Sequence, residues 1–237
     1  MNRVETVRLQ LRAVAALRVL KRTRTYEELA ADTGLPAGDC NRYVNGHVLP
    51  GVERARAVLD EVTLPALREE LRARVRVDDA GYVDTSRVVF DQPLLGLVAP
   101  AAAEAHAFDP PDAVLTAATD GITVGAALAA HYDARCVYAK EKKETAVAAF
   151  HEARHTLESG IDLTYYLPES ALEAGDRVLV ADDLIRSGET QELLLELADA
   201  AGATVSGVFT LIAVGDVGVD RARARTDAPV RALLSVE

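Results

Sequence analysis

The chain has 237 residues, 49% of them hydrophobic, and a net charge of −11, enough apolar material for one large domain or for a small and a medium one. No apolar run approaches the roughly 18–20 residues of a membrane helix, and the opening MNRVETVRLQ has no signal-type hydrophobic region, so no membrane partner and a cytoplasmic setting are expected. Residues 1–75 carry 13 Lys and Arg against 10 acids, whereas residues 76–237 carry 13 against 27, which predicts a mildly basic head (1–77) and a strongly acidic body (78–237) with different partners.

Val4 to Leu20 places apolar residues at helical spacing. Thr25 with Glu28 three positions on forms a capping box, and Gly34 supplies a turn before a second short helix from about Pro36 to Asn45, ended by Gly46. A further helical stretch starts at Pro50, and Pro65 resets the chain before Leu67 and Leu71. Asp78-Asp79-Ala80-Gly81 reads as a turn at the domain boundary. The body then alternates: an extended lead-in at Tyr82–Phe90, a helix from Pro93 to His106, a strand at Ala113–Ala117, a helix at Ile122–His131, a strand at Arg135–Ala139, strand-like residues at Ile161–Leu167, a strand at Val178–Ala181, a helix at Gly188–Ala201, a long strand at Val205–Val214 and a last strand at Val230–Val236. This alternation predicts an α/β body with a mostly parallel sheet.

Two loops at the carboxyl ends of these strands attract attention, because ligands of open α/β sheets collect there. Val178–Ala181 is followed at once by Asp182 and Asp183, then by Arg186-Ser187-Gly188-Glu189-Thr190 at a helix start. Loop amides and a helix N-terminus can hold a phosphate, and paired carboxylates can hold vicinal hydroxyls, directly or through a metal such as Mg2+. Thr119, Asp120 and Gly121 form the second loop, between a strand and a helix. Lys140-Glu141-Lys142-Lys143-Glu144 follows another strand and holds three of the four lysines in a chain with 22 arginines; clustered lysines suit phosphate as mobile point charges. His151-Glu152-Ala153-Arg154-His155 matches the zinc-peptidase pattern H-E-x-x-H, but a charged Arg154 and no obvious third ligand argue against zinc; a hydrophilic loop helix is expected there.

The stretch VLVADDLIRSGET, Val178–Thr190, resembles the phosphoribosyl-pyrophosphate (PRPP) motif of type I phosphoribosyltransferases. The resemblance implies a PRPP-like ligand, with Asp182 and Asp183 at the ribose, Arg186–Thr190 around the 5′-phosphate and Thr119–Gly121 at the pyrophosphate. Tyr138–Glu144 resembles the start of the catalytic loop of orotate phosphoribosyltransferases; Lys140 and Lys143 match its lysines, while Ala139 and Thr145 stand where that loop has Arg and His. The head, ending in Asn41-Arg42-Tyr43-Val44-Asn45-Gly46, resembles the Cro and phage-repressor type of helix-turn-helix, which would turn Ala37, Gly38, Asn41, Arg42 and Asn45 toward promoter DNA. Low Lys and high acid content resemble halophilic archaeal proteins. Head and body together resemble the haloarchaeal GfcR-type regulators of glucose and fructose catabolism. That resemblance implies a homodimeric transcription regulator whose phosphoribosyltransferase-like body senses a phosphorylated sugar or PRPP. The alternative is an active phosphoribosyltransferase for orotate or another base, carrying a fused helical head.

Overall fold

A computed structural model describes residues 1–61, 64–79, 81–156, 160 and 162–237, which form two compact units, Met1–Glu70 and Leu71–Glu237. Ala80 of the predicted turn and Ile161 of the predicted strand lie outside the described residues. Among the described residues, no helix is long and apolar enough to cross a membrane.

The first unit is helical: α1 (Arg3–Leu20), α2 (Tyr26–Thr33), α3 (Ala37–Val44), α4 (Val52–Glu61) and the start of α5 (Leu64–Arg74). The Thr25–Glu28 capping box forms, with the Thr25 hydroxyl accepting from the Glu28 amide at 3.2 Å and the Glu28 carboxylate accepting from the Thr25 amide at 2.7 Å. Gly34, at φ +66°, makes the turn that α2 needs to end and α3 to begin. Leu17, Leu29, Cys40, Tyr43 and Val58 close the core of this unit.

The second unit opens with a two-residue antiparallel pair, β1 (Arg76–Val77) and β2 (Val83–Asp84), then α6 (Ser86–Val89) and α7 (Gln92–His106). Its frame is a five-stranded sheet in the order β4-β3-β7-β8-β9, parallel throughout, built from β3 (Ala113–Ala117), β4 (Arg135–Ala139), β7 (Arg177–Ile185), β8 (Thr204–Val214) and β9 (Val230–Val236). The connecting helices are α8 (Gly121–Tyr132), α9 (Glu189–Ala200) and α10 (Val217–Arg225), the last absent from the sequence reading. β5 (Phe150–Thr156) and β6 (Asp162–Pro168) form a separate antiparallel hairpin, and β5 covers the segment expected to be a hydrophilic helix.

Both sheet faces are covered, so the strands are continuously apolar rather than alternating. Val178, Val180 and Val208 pack toward Leu193 and Leu197 of α9, while Phe209 and Leu211 meet Leu95, Val98 and Leu128 of α7 and α8 on the other face. Gly207 is forced by this packing, since a Cβ there would overlap the Phe108 ring. Phe209 is 1% exposed and meets Phe108 edge-on, with ring centroids 6.4 Å apart. Phe209→Ala is therefore expected to cost about 3–5 kcal/mol by chemical denaturation, from lost transfer energy plus a cavity the strand cannot close.

Candidate active site

The site is built where β3 and β7, hydrogen-bonded neighbours, both reach their carboxyl ends. β7 runs four residues past the predicted strand, to Ile185, so the two acids sit inside it and, as strand neighbours, leave on opposite faces. Asp182 is 6% exposed. Its Oδ2 accepts from the Gln191 side-chain amide of α9 at 2.8 Å, and its Oδ1 accepts from the Asp183 main-chain amide at 3.0 Å. Asp183 is half-buried and accepts a 2.7 Å hydrogen bond from the Thr85 hydroxyl just before α6. Burial pushes both carboxyls above their ordinary range. For Asp182 the neighbouring Asp183 charge adds to the shift, whereas for Asp183 the Thr85 hydroxyl opposes it.

The first of the two predicted loops follows β3. Thr119 and Asp120 are exposed, the Ala118–Thr119 peptide is cis, and Gly121 starts α8. The Cβ that Gly121 lacks would stand 2.5 Å from Asp182 Oδ1 and closer still to Thr116 Oγ1, so the helix N-terminus lies directly against the buried acid. The second predicted loop begins Arg186-Ser187-Gly188, entering α9 through Gly188 at φ +81°. Gly188 also backs onto α10, where its missing Cβ would stand 2.7 Å from the Gly218 carbonyl oxygen. The Ser187 hydroxyl donates to Glu189 at 2.8 Å. Arg221 of α10 donates to the Ser187 carbonyl at 3.3 Å and pairs with Glu192 at 2.9 Å and Glu189 at 3.6 Å, which fixes the loop from behind. The first amides of α9, through Thr190, have no intrahelical acceptor and remain for an anion.

Other predicted residues lie elsewhere. Lys140 pairs with Glu144, and Lys143 pairs with Glu152 at 3.1 Å on the face of the hairpin turned away from α9. Arg186 is exposed, with its guanidinium 5.2 Å from the Tyr82 ring centroid. The H-E-x-x-H segment lies on a strand, so the helical spacing that a zinc peptidase uses is not formed; His155 stands 3.5 Å from both Glu192 and Glu196. Thr85, Gln191, Gly218 and Arg221 were not anticipated. Gln191, a lone amide on a helix otherwise packed with leucines, was the one visible signal; Thr85 reaches Asp183 across 98 positions and leaves none.

Residues 89–229 match the model of the phosphoribosyl transferase domain family. The chain belongs to that family. It is similar to the adenine phosphoribosyltransferase of Salinispora tropica, 36% identical over 131 residues, covering 55% of this chain and 68% of the relative. It is similar also to the adenine phosphoribosyltransferase of Streptomyces coelicolor, 45% identical over 89 residues, covering 34% of this chain and 48% of the relative, so it spans about half the length of that protein. Among solved structures, the adenine phosphoribosyltransferase of Rhodothermus marinus superposes with a TM-score of 0.63 at 28% identity, over 73% of this chain and 99% of that one.

These relatives correct the expected identity. They are phosphoribosyltransferases, not sugar-catabolism regulators of the haloarchaeal GfcR type, and neither promoter DNA nor a sugar-phosphate effector is indicated. In the head, the Asn45 side-chain amide donates to the Asn41 side-chain oxygen and lies 3.4 Å from the Tyr26 hydroxyl, and Arg42 stands 3.8 Å from Asp39. Ala139 and Thr145 are departures from an orotate-type loop, whereas these relatives are adenine phosphoribosyltransferases.

Proposed function

We propose that this chain transfers a phosphoribosyl group from PRPP to a purine base, adenine foremost. The observation that carries this reading is the placement of two anion-binding loops, Thr119–Gly121 and Arg186–Thr190, on either side of Asp183 at the ends of adjacent parallel strands. The amides of Ser187–Thr190 and the α9 N-terminus take the 5′-phosphate. Asp183 accepts from the ribose hydroxyls, with Thr85 fixing its orientation. Thr119, Asp120 and Gly121 offer amides and a helix N-terminus to the pyrophosphate, and Asp182 holds that loop against α9 from inside. Lys140, just past the carboxyl end of β4, and Lys143 are ion-paired with Glu144 and Glu152 and take no part in this reading of the loops.

In the reaction a base nitrogen forms a bond to ribose C1′ while the C1′–oxygen bond breaks. The bonding pair leaves on pyrophosphate, and the base gives up its N–H proton. Positioning and stabilisation of the departing charge are what these loops supply. Mg2+ would arrive with the pyrophosphate group of PRPP, because it is ordinarily held by substrate phosphates with one or two carboxylates and keeps several waters. Tyr82 and Phe90, 66% and 77% exposed on the segment that carries Thr85, are the aromatic faces available to the base. The α2–turn–α3 spacing supports a helix-turn-helix shape for the head as a packing module, and the compact units divide at Glu70/Leu71, a few residues before the expected boundary at 77.

The test is formation of nucleoside monophosphate and pyrophosphate from PRPP, Mg2+ and each free purine, followed by chromatography. The wild type is expected to turn over adenine, and Asp183→Asn to lower kcat/KM about 100-fold, the loss typical of one well-placed charge-stabilising group. Absence of product with every purine would overturn the reading.

A further inference from the structure

We infer that the outer face of the β5–β6 hairpin is a second ligand site, one that takes the base of a nucleoside monophosphate away from the transfer site. The hairpin register sorts its residues into two faces. Ala153, Tyr165 and Leu167 are buried, and with His155 they face α9. Phe150, Glu152, Tyr166 and Pro168 form the opposite face. The hairpin backbone therefore stands between that outer face and the phosphate loop. Across from it runs β4, an edge strand of the sheet, offering Val137 and Tyr138.

Between them lies a cleft of about 180 Å3, lined by Tyr138, Phe150 and Tyr166 with Lys140, Lys142 and Glu144 at its polar rim. Phe150 and Tyr166 meet edge-on with centroids 6.2 Å apart, an aromatic wall that a flat guest would share with the Lys143 ammonium over it. A cleft of this size suits one heterocyclic base, with the sugar and phosphate directed to the rim. The rim suits them. Three of the chain's four lysines gather there on a body of strong negative charge. Lys143 stands 4.7 Å from the Tyr166 centroid and Lys140 5.1 Å from that of Tyr138, so cations already sit on these rings. Aromatic faces beside lysines are the chemistry that holds a base with its phosphate.

Calorimetric titration of the full chain with AMP tests this, with adenosine as the phosphate-free arm and inorganic phosphate as the base-free arm. Two classes of AMP site are expected. Phe150→Ala should remove the outer one, and Lys142→Glu, at an exposed loop position, should weaken it about tenfold and leave adenosine binding there unchanged. Neither should change KM for PRPP, and Asp183→Asn should remove only the other class. A single class that is lost in Asp183→Asn and indifferent to Phe150→Ala and Lys142→Glu overturns the outer site, as does no AMP binding at all. A single class that survives Asp183→Asn and is lost in Phe150→Ala upholds the outer site and counts against the transfer reading instead.

Discussion

Gly121→Ala is expected to lower PRPP-dependent transfer at least 100-fold and to destabilise the fold by about 1–3 kcal/mol, although it adds one methyl group. The methyl has nowhere to go. Its place lies 2.5 Å from Asp182 Oδ1 and nearer still to Thr116 Oγ1, and both side chains are buried, Thr116 completely. Neither can retreat. Thr116 lies within β3, and Asp182 is held by the Gln191 amide and by the Asp183 main chain. The start of α8 must therefore move outward, and the amides of Thr119–Gly121, proposed to hold the pyrophosphate, move with it. A displacement of about 1 Å at a reacting group is enough for a 100-fold loss. Steady-state kinetics with thermal unfolding checks this: wild-type kcat/KM for PRPP in Gly121→Ala would show that the helix start does not position the leaving group.

Much of this site is legible in the chain because its parts are local. A continuous apolar run, two acids and a small-residue loop specify strand, site and helix start within 13 residues, and the Thr25–Glu28 cap is equally local. What was misread depends on partners far along the chain. His151–His155 reads as a helix from its charged side chains, yet it alternates: Ala153 and His155 face α9 while Glu152 and Arg154 face out. The inward histidine is paired with glutamates of α9, a pairing that periodicity of hydrophobic residues does not report. Arg221 donates to the Ser187 carbonyl from α10, a helix whose charged residues leave no clear apolar stripe for the sequence to show. Function is less local still: a PRPP-like motif points to a held ligand, and an orotate-type loop is a poor yardstick for a chain whose relatives are adenine phosphoribosyltransferases. Fold resemblance carries a binding frame more securely than it carries a role.

The pair Asp182–Asp183 should leave a signature in stability against pH. Both carboxyls lie above their ordinary value of 3.8, first because burial disfavours the charged form. In the unfolded chain both titrate near the ordinary value. Between neutral pH and about 4, then, the native state takes up protons that the unfolded state has not yet taken up, and stability from this pair rises as pH falls; above the raised values both states are ionised and the native state bears the cost of the buried charge. Asp182→Asn carries no charge at any pH and removes the larger of the two contributions. Its single carbonyl oxygen can accept from Gln191 or from the Asp183 amide but not from both with the carboxylate's geometry, a loss of about 1 kcal/mol that does not depend on pH. The informative quantity is therefore the difference between the two curves. Titrations of groups whose carboxyls are instead held low, such as Asp112 beside the Arg177 amide, are common to both proteins and cancel in it. Chemical denaturation from pH 7.5 down to 4 should show the wild type gaining on Asp182→Asn throughout, with the variant losing its advantage, or falling behind, at the acid end. Parallel curves would mean that Asp182 is ionised in the native state at an ordinary pKa, and the account of it as a buried brace between the pyrophosphate loop and α9 would have to be abandoned.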